Sequence, residues 1–431
     1  MTTAAVQAVG RPARWRRRVL WVLLLIVVAI TLWIASDRVY WDRYLHAHTL
    51  ESFSEHPYPT IERLYPQEAV PGVDSPRAIP VASESERTIR ADALLAAERY
   101  ARSTKSTSLL VLHRGKLQYE AYWEGSNADT PVYSFSMHKT IVGMMVGFAI
   151  ADGKIGSVED SVAKYLPEWS DPEHSQIRIK HLLQMSSGIE SMQYGDNPFS
   201  KHQRRQIGTD LESTALSFDV QEPPGQRFDY NGANPTLLVM IIERTTGRRY
   251  AEYLSEKLWK PLGNRTAHVW LDHEGGLVFA ATSLFATPRD WLRVGIMMLD
   301  QGRVDGRQVL PEAWFRQMIT PSPTNPVYGN LTWLGFNSSG AVSALDKGLG
   351  RYNTVDQKAT SELASRNLIC FDGLGGQRVY VFPDSELVIV RTGVLDGGYE
   401  DPMLPNLLID GVVPANTARS ADTAPAGAPV H

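Results

Sequence analysis

Two stretches of the chain are apolar around the whole circumference of a helix, and they differ in their flanks. The first, Val19 to Ala35 (VLWVLLLIVVAITLWIA), is an uncharged run of 17 residues. It reaches the lower end of the length that spans a bilayer and exceeds a usual signal-peptide core. Trp21 and Trp33 sit near its two ends, where interfacial aromatics are expected, and five arginines precede it in RPARWRRR, residues 11 to 18. Cleavage after Ala35 would put Trp33 at the −3 position, which needs a small residue. The pattern therefore predicts an uncleaved signal anchor, with a cleaved signal peptide as the alternative. By the positive-inside rule the arginines stay in the cytoplasm and the main domain is extracytoplasmic.

The second run, Met137 to Ala151 (MHKTIVGMMVGFAIA), lies deep in the chain. As a helix it is roughly 22 Å long and, being apolar all round, is predicted to be buried. Around it the periodicity divides into three zones. Thr88 to Ser103 has helical spacing, and SLLVLHRG and KLQYEAYW read as two strands turning at Arg114-Gly115. From Lys154 to about Gly263 the pattern is mostly helical, with one helix ending near Gly247 and another before Pro261. Tyr194 to Ile207 reads as a polar loop of the kind that borders a site. Further helices are predicted over Thr287 to Gln301 and in EAWFRQMI. The C-terminal part returns to strands in RNLICFD, QRVYVFP and ELVIVRTG, with a turn at Pro383-Asp384-Ser385.

These patterns divide the chain into a basic segment (1–18), a membrane anchor (19–36), a Pro- and Ser-rich spacer (37–85), a main domain (86–412) and a disordered tail (413–431). Composition alters little in this picture. With 43% hydrophobic and 21% charged residues the chain is globular, and a net charge of −4 gives no case for a nucleic-acid partner. A single cysteine, Cys370, excludes an intramolecular disulfide and reads as a buried strand residue. The histidines form no metal-ligand spacing, and the short polar groups His46/His48 and Asp272-His273-Glu274 read as solvated loops.

Candidate chemistry centres on Ser136 and Lys139, a Ser-x-x-Lys at the start of the buried run. The spacing puts both side chains on one face, the helix N-terminus offers N–H groups to a developing anion, and burial lowers the lysine pKa. The motif alone is weak, because Ser161-Val162-Ala163-Lys164 repeats it in a polar segment that reads as a solvated face. Downstream partners decide between the two copies. Pro224-Gly225-Gln226-Arg227-Phe228-Asp229-Tyr230 and Gly373-Leu374-Gly375-Gly376-Gln377 follow in order. On these residues the chain resembles the β-lactamase-like serine hydrolases: class C β-lactamases, family VIII-type esterases and 6-aminohexanoate-oligomer hydrolases. HLLQMSSGI, LFATPRDWLRVG and VLPEAWFRQM extend the resemblance over roughly residues 88 to 400.

The resemblance implies an α/β (α+β) fold of the β-lactamase/transpeptidase type. It has an antiparallel sheet flanked by helices and a mostly helical subdomain, here behind one transmembrane helix. It implies a Ser136 nucleophile, Lys139 and Tyr230 as acid and base, and an oxyanion hole from the N–H groups of Ser136 and Leu374. Substrate contacts are expected from Tyr194, Asn234, Gly375, Gly376 and Gln377. No metal or organic cofactor is required. Two departures move the reading from β-lactamase toward esters and amides. Tyr230-Asn231-Gly232 lacks the asparagine two after the tyrosine, with Asn234 expected in its place, and no Lys-Thr-Gly precedes the last strands. The expected substrate is a small ester, amide or peptide-like molecule, and the expected location a bacterial inner membrane with the domain in the periplasm. A β-lactamase or D-Ala-D-Ala peptidase-like protein, a non-turnover wall-binding or sensor domain, and a partner-binding protein with a vestigial site are the competing readings.

Overall fold

The computed structural model describes residues 13–49, 64–191, 197–335, 363–394 and 399–413. In chain order these form α1 (Ala13–Ser36), α2 (Arg38–Thr49), β1 (Gln67–Val70), α3 (Ala91–Ser103), β2 (Ser106–His113), β3 (Lys116–Tyr122), β4 (Val132–Tyr133) and α4 (Met137–Ala151). Next come α5 (Ile179–Leu183), α6 (Lys201–Ile207), α7 (Leu211–Leu216), α8 (Ala233–Thr246), α9 (Tyr250–Leu254), β5 (Ala267–Trp270), β6 (Leu284–Ala286) and α10 (Pro288–Leu299). The chain continues through the hairpin β7 (Arg303–Val304) and β8 (Arg307–Gln308), α11 (Glu312–Met318), β9 (Ile369–Gly373), β10 (Gln377–Phe382), β11 (Leu387–Gly393) and a last helix, Met403–Asp410.

Alternation of side chains builds the larger sheet, whose five antiparallel strands run in the order β3-β2-β11-β10-β9. Leu110, Leu112, Val379, Val381, Val388 and Val390 face one side and join the main core with α4 and α10. Leu109, Val111, Cys370, Tyr380, Phe382 and Ile389 face the other, under α3 and the last helix. Both faces are covered, which is why these strands read as continuous Val/Leu/Ile runs. A second antiparallel sheet, β1-β5-β6-β4, carries the chain into α4.

Helix α4 is buried from Met137 to Ala149, as its all-round apolar pattern predicts. It packs on α8, α11 and β9. Trp314 of α11 lies on its glycines: an added Cβ at Gly147 would meet the indole Cδ1 at 2.0 Å, and the indole N–H donates to the Gly143 carbonyl at 3.0 Å. A larger residue at Gly147 would expel that indole.

The segment expected as a spacer that partly packs on the domain contributes β1 and α2. Val70 of β1 is fully buried and pairs with Ala267 of β5. One residue after α1, helix α2 docks on the domain through Arg43, which is 1% exposed. Arg43 donates to the carbonyls of Leu64 (3.0 Å), Ile207 (3.3 Å), Gly208 (2.7 Å) and Asp272 (3.0 Å) and stacks on Tyr65. Its aromatic and cationic positions are spread too widely for a sequence period to reveal that docking. Residues 17–36 are long and apolar enough to cross a membrane.

Candidate active site

Strand β4 delivers the site. Ser134 follows it directly, and its hydroxyl donates to the Thr282 carbonyl at 2.8 Å and accepts from the Leu284 N–H at 3.2 Å. Phe135 then adopts φ +46°, a left-handed conformation that is costly for an aromatic residue and persists here because both flanks are pinned. This kink turns the chain so that Ser136 becomes the N-cap of α4.

Lys139 lies one turn along, 4% exposed. Its ammonium nitrogen donates to Ser136 Oγ at 2.7 Å and to the Ala281 carbonyl at 2.9 Å. Residues 281–284 thus hold both Ser134 and Lys139. Burial draws the Lys139 amine down to about 7, the charge of Arg205 adds to that shift, and the Asp372 carboxylate opposes it. At neutral pH a large share of the amine is therefore unprotonated and able to accept a proton.

Tyr230 reaches the same point from the other side. Its ring centroid is 4.7 Å from Lys139 Nζ, and the ring packs on Tyr328 and Trp333 at 6.1 and 5.6 Å between centroids. The loop that carries it is clasped by the MSSGI segment: Gly225 N–H donates to Ser186 O and Asp229 N–H to Met185 O, both at 2.7 Å. That clasp explains why the two sequence motifs occur together.

The third wall is the turn Leu374–Gly376 between β9 and β10. It packs against the start of α4 so tightly that a Cβ on Gly373 would lie 2.3 Å from the Ser134 carbonyl. Two buried arginines hold its carbonyls. Arg378 donates to Gly373 O at 2.5 Å and pairs with Asp372 and Asp401, while Arg391 donates to Gly375 O at 2.6 Å. In a trans peptide the N–H points opposite to the C=O. Anchoring these two carbonyls inward therefore turns the N–H groups of Leu374 and Gly376 away from the arginines.

Asn234 and Gln377, two of the other expected contacts, are buried and bonded to the scaffold. Asn234 is fully buried in α8, accepting from Ser187 Oγ at 2.8 Å and donating to Met185 Sδ. Gln377 is 1% exposed, and its amide bonds the Gly393 backbone in both directions, tying β10 to β11. Both amides are consumed by the scaffold. Tyr194 lies outside the described residues. The second Ser-x-x-Lys is a capped turn at the surface, with Ser161 accepting from Ala163 N–H and Lys164 paired with Asp160 at 2.8 Å.

Sequence reasoning missed Arg205, Tyr328, Trp333 and Asp372. Arg205 and the two aromatics lie in or beside the polar stretches whose conformation carries no periodic signal. Asp372 was legible only as the residue before GLGGQ.

Residues 91–401 match the Beta-lactamase family model. The chain belongs to the beta-lactamase family. It is similar to the 6-aminohexanoate-dimer hydrolase of Paenarthrobacter ureafaciens, 27% identical over 358 residues that cover 80% of this chain and 87% of that one. Among solved structures it resembles a Bacillus anthracis protein named for 6-aminohexanoate-dimer hydrolase, with a TM-score of 0.60 and 20% identity over 85% of this chain and 92% of that one. A penicillin-binding protein homologue from Caulobacter crescentus aligns with a TM-score of 0.54 and 13% identity, covering 74% and 97%. These structures share the fold, the β-lactamase/transpeptidase-like arrangement expected from the motifs. As a family member with a hydrolase relative over most of its length, the protein is a serine hydrolase.

Proposed function

We propose that this protein is a membrane-anchored hydrolase that cleaves linear amides or esters through an acyl-enzyme on Ser136. The observation that carries the reading is the 2.7 Å contact between Lys139 Nζ and Ser136 Oγ in a buried setting that favours the neutral amine. In the first step the Ser136 hydroxyl proton passes to Lys139 as Oγ bonds to the substrate carbonyl carbon. The N–H groups of Ser136 and Leu374 receive the oxyanion, each such donor being worth about 3 kcal/mol. Tyr230, over the Lys139 amine, relays the proton to the departing amine or alkoxide. Water then attacks the ester, gives up its proton to the same pair, and releases the acid and free Ser136.

Two features favour an open-chain substrate over a β-lactam. The position where a Lys-Thr-Gly would recognise a β-lactam carboxylate is occupied by Gly375-Gly376-Gln377, and Gln377 is buried. The 27%-identical relative is named for a linear amide, the 6-aminohexanoate dimer. Gly375 and Gly376, which let the backbone approach closely, and Tyr194 are proposed as substrate contacts.

The anchor reading rests on α1 and on the single residue between it and α2. A docked α2 holds the domain at the bilayer surface, on the periplasmic side if the arginines before α1 stay in the cytoplasm. The test is a panel of p-nitrophenyl esters, short amide oligomers, D-Ala-D-Ala peptide and nitrocefin, with wild-type protein and Ser136→Ala. Turnover of esters and amides that Ser136→Ala abolishes is the expected result. Stable acylation without turnover would point instead to a sensor.

A further inference from the structure

Strands β10 and β11 set two arginines opposite each other: Arg378 and Arg391 are register partners, and both are fully buried. Like charges directly opposed across a sheet destabilise it, and each buried cation adds a desolvation penalty. Arg378 offsets that penalty with the carboxylates of Asp372 and Asp401. The hydrogen-bond partners of Arg391 are neutral. Its Nη1 donates to Gly375 O at 2.6 Å, Nη2 to Thr104 O at 2.7 Å and Nε to Ser106 Oγ at 2.8 Å, and Cζ lies 4.4 Å from the Tyr399 ring centroid. Two glycines make room for the guanidinium: a Cβ would lie 2.5 Å from Nη1 at Gly376 and 2.3 Å from Cζ at Gly393. Buried ions are often replaceable by apolar side chains without loss of stability, so the fold alone does not account for this arginine. What it holds does.

We infer that Arg391 is a positioning residue for the proposed oxyanion turn, Leu374–Gly376, whose middle carbonyl it fastens to the start of β2. The inference rests on the proposed acyl transfer at Ser136 with Leu374 as an oxyanion donor. Arg378 grips both ends of the turn, its Nη1 donating to Gly373 O at 2.5 Å and to Gln377 O at 2.9 Å. Anchors at the ends leave the middle of a Gly-Gly turn free to tilt, because glycine has the widest backbone freedom and Gly375 and Gly376 sit at φ +75° and +71°. The bond from Arg391 to Gly375 O removes that freedom. With all three carbonyls drawn toward the arginines, the Leu374 and Gly376 N–H groups point the other way. A cation on the carbonyl of a peptide also polarises the unit and strengthens its N–H as a donor. Arg391 thereby fixes the direction of the turn and raises the donor strength of the peptide it holds.

Positioning can be separated from general stability. Arg391→Met keeps a long side chain and removes the anchor. The measurements, on the full-length protein, are kcat and KM for a p-nitrophenyl ester, the melting temperature, and inhibition by a boronic acid whose tetrahedral adduct on Ser136 is an anion. In Arg391→Met kcat should fall about 30- to 100-fold with KM within about twofold, and inhibition by the boronic acid should weaken about tenfold. Leu408→Ala is the comparison for stability alone, since Leu408 is fully buried in the last helix, which holds no partner of Arg391. It should lower the melting temperature and leave kcat near the wild-type value. Ser106→Ala removes only the Nε partner, should lower kcat about threefold, and decides the matter if Arg391→Met does not fold. An unaltered kcat in Arg391→Met or in Ser106→Ala, or an equal loss of kcat in Leu408→Ala, would overturn the inference. Absence of both turnover and fluorophosphonate labelling of Ser136 in the wild type would instead sink the proposed function on which it rests.

Discussion

Lys139 Nζ sits 2.7 Å from Ser136 Oγ in a pocket that leaves the lysine 4% exposed. That pairing serves reactivity against stability, because a buried amine that loses its proton so readily is poorly solvated when charged. Lys139→Met should therefore abolish Ser136 labelling while raising the melting temperature by about 5 °C at pH 6. The sign follows from linkage. The folded pKa is near 7 and the unfolded one near 10.5, so between them the unfolded chain holds the extra proton and wild-type stability rises with pH. The stabilising effect of the substitution is full below pH 7 and should vanish by about pH 10.5. Thermal melts at a series of pH values check it.

Tyr230 is packed by its ring and used, on the proposed mechanism, by its hydroxyl. Tyr230→Phe keeps the contacts with Tyr328 and Trp333, so the melting temperature should stay within about 1 °C. The value of kcat should drop about 100-fold or more, the size expected for loss of a general acid–base group. A variant as active as wild type would remove Tyr230 from the proton relay.

The sequence carried the fold where periodicity is strong and the site where spacing is local. Helix α4 begins at Met137 and ends at Ala151, the limits its apolar run predicts, and Ser136 with Lys139 follows from a one-turn spacing. Non-local facts were invisible. Arg205 reaches the Tyr230 turn from a segment read as a polar loop, 201 to 207 of which is helix. Asn234 and Gln377 were expected at the substrate from motif position alone. Their amides turn inward because Ser187 and the Gly393 backbone, both distant in sequence, need partners there.

Gly373 marks the tightest approach between the two halves of the proposed oxyanion site. Gly373→Ala would set a Cβ 2.3 Å from the Ser134 carbonyl and 3.2 Å from Met137 Cγ. Strand β9 must then move away from the start of α4, carrying Leu374 with it. An oxyanion donor displaced in this way costs about 100-fold in kcat, with a smaller change in KM. Stopped-flow acylation of Ser136 by a chromogenic ester measures the step directly, and an unaltered acylation rate would place the oxyanion donors elsewhere.

Helix α2 can be a tether or a part of the domain, and Arg43 distinguishes the two. Its guanidinium satisfies carbonyls of four residues, among them Ile207 and Gly208 at the end of α6. Arg43→Met strands those buried acceptors, a loss of about 3 kcal/mol, or a fall of roughly 4 °C in melting temperature for a domain of this size. A merely tethering α2 would leave the melting temperature unchanged. The buried position of Arg43 argues that α2 is part of the domain, fastened to the end of α6.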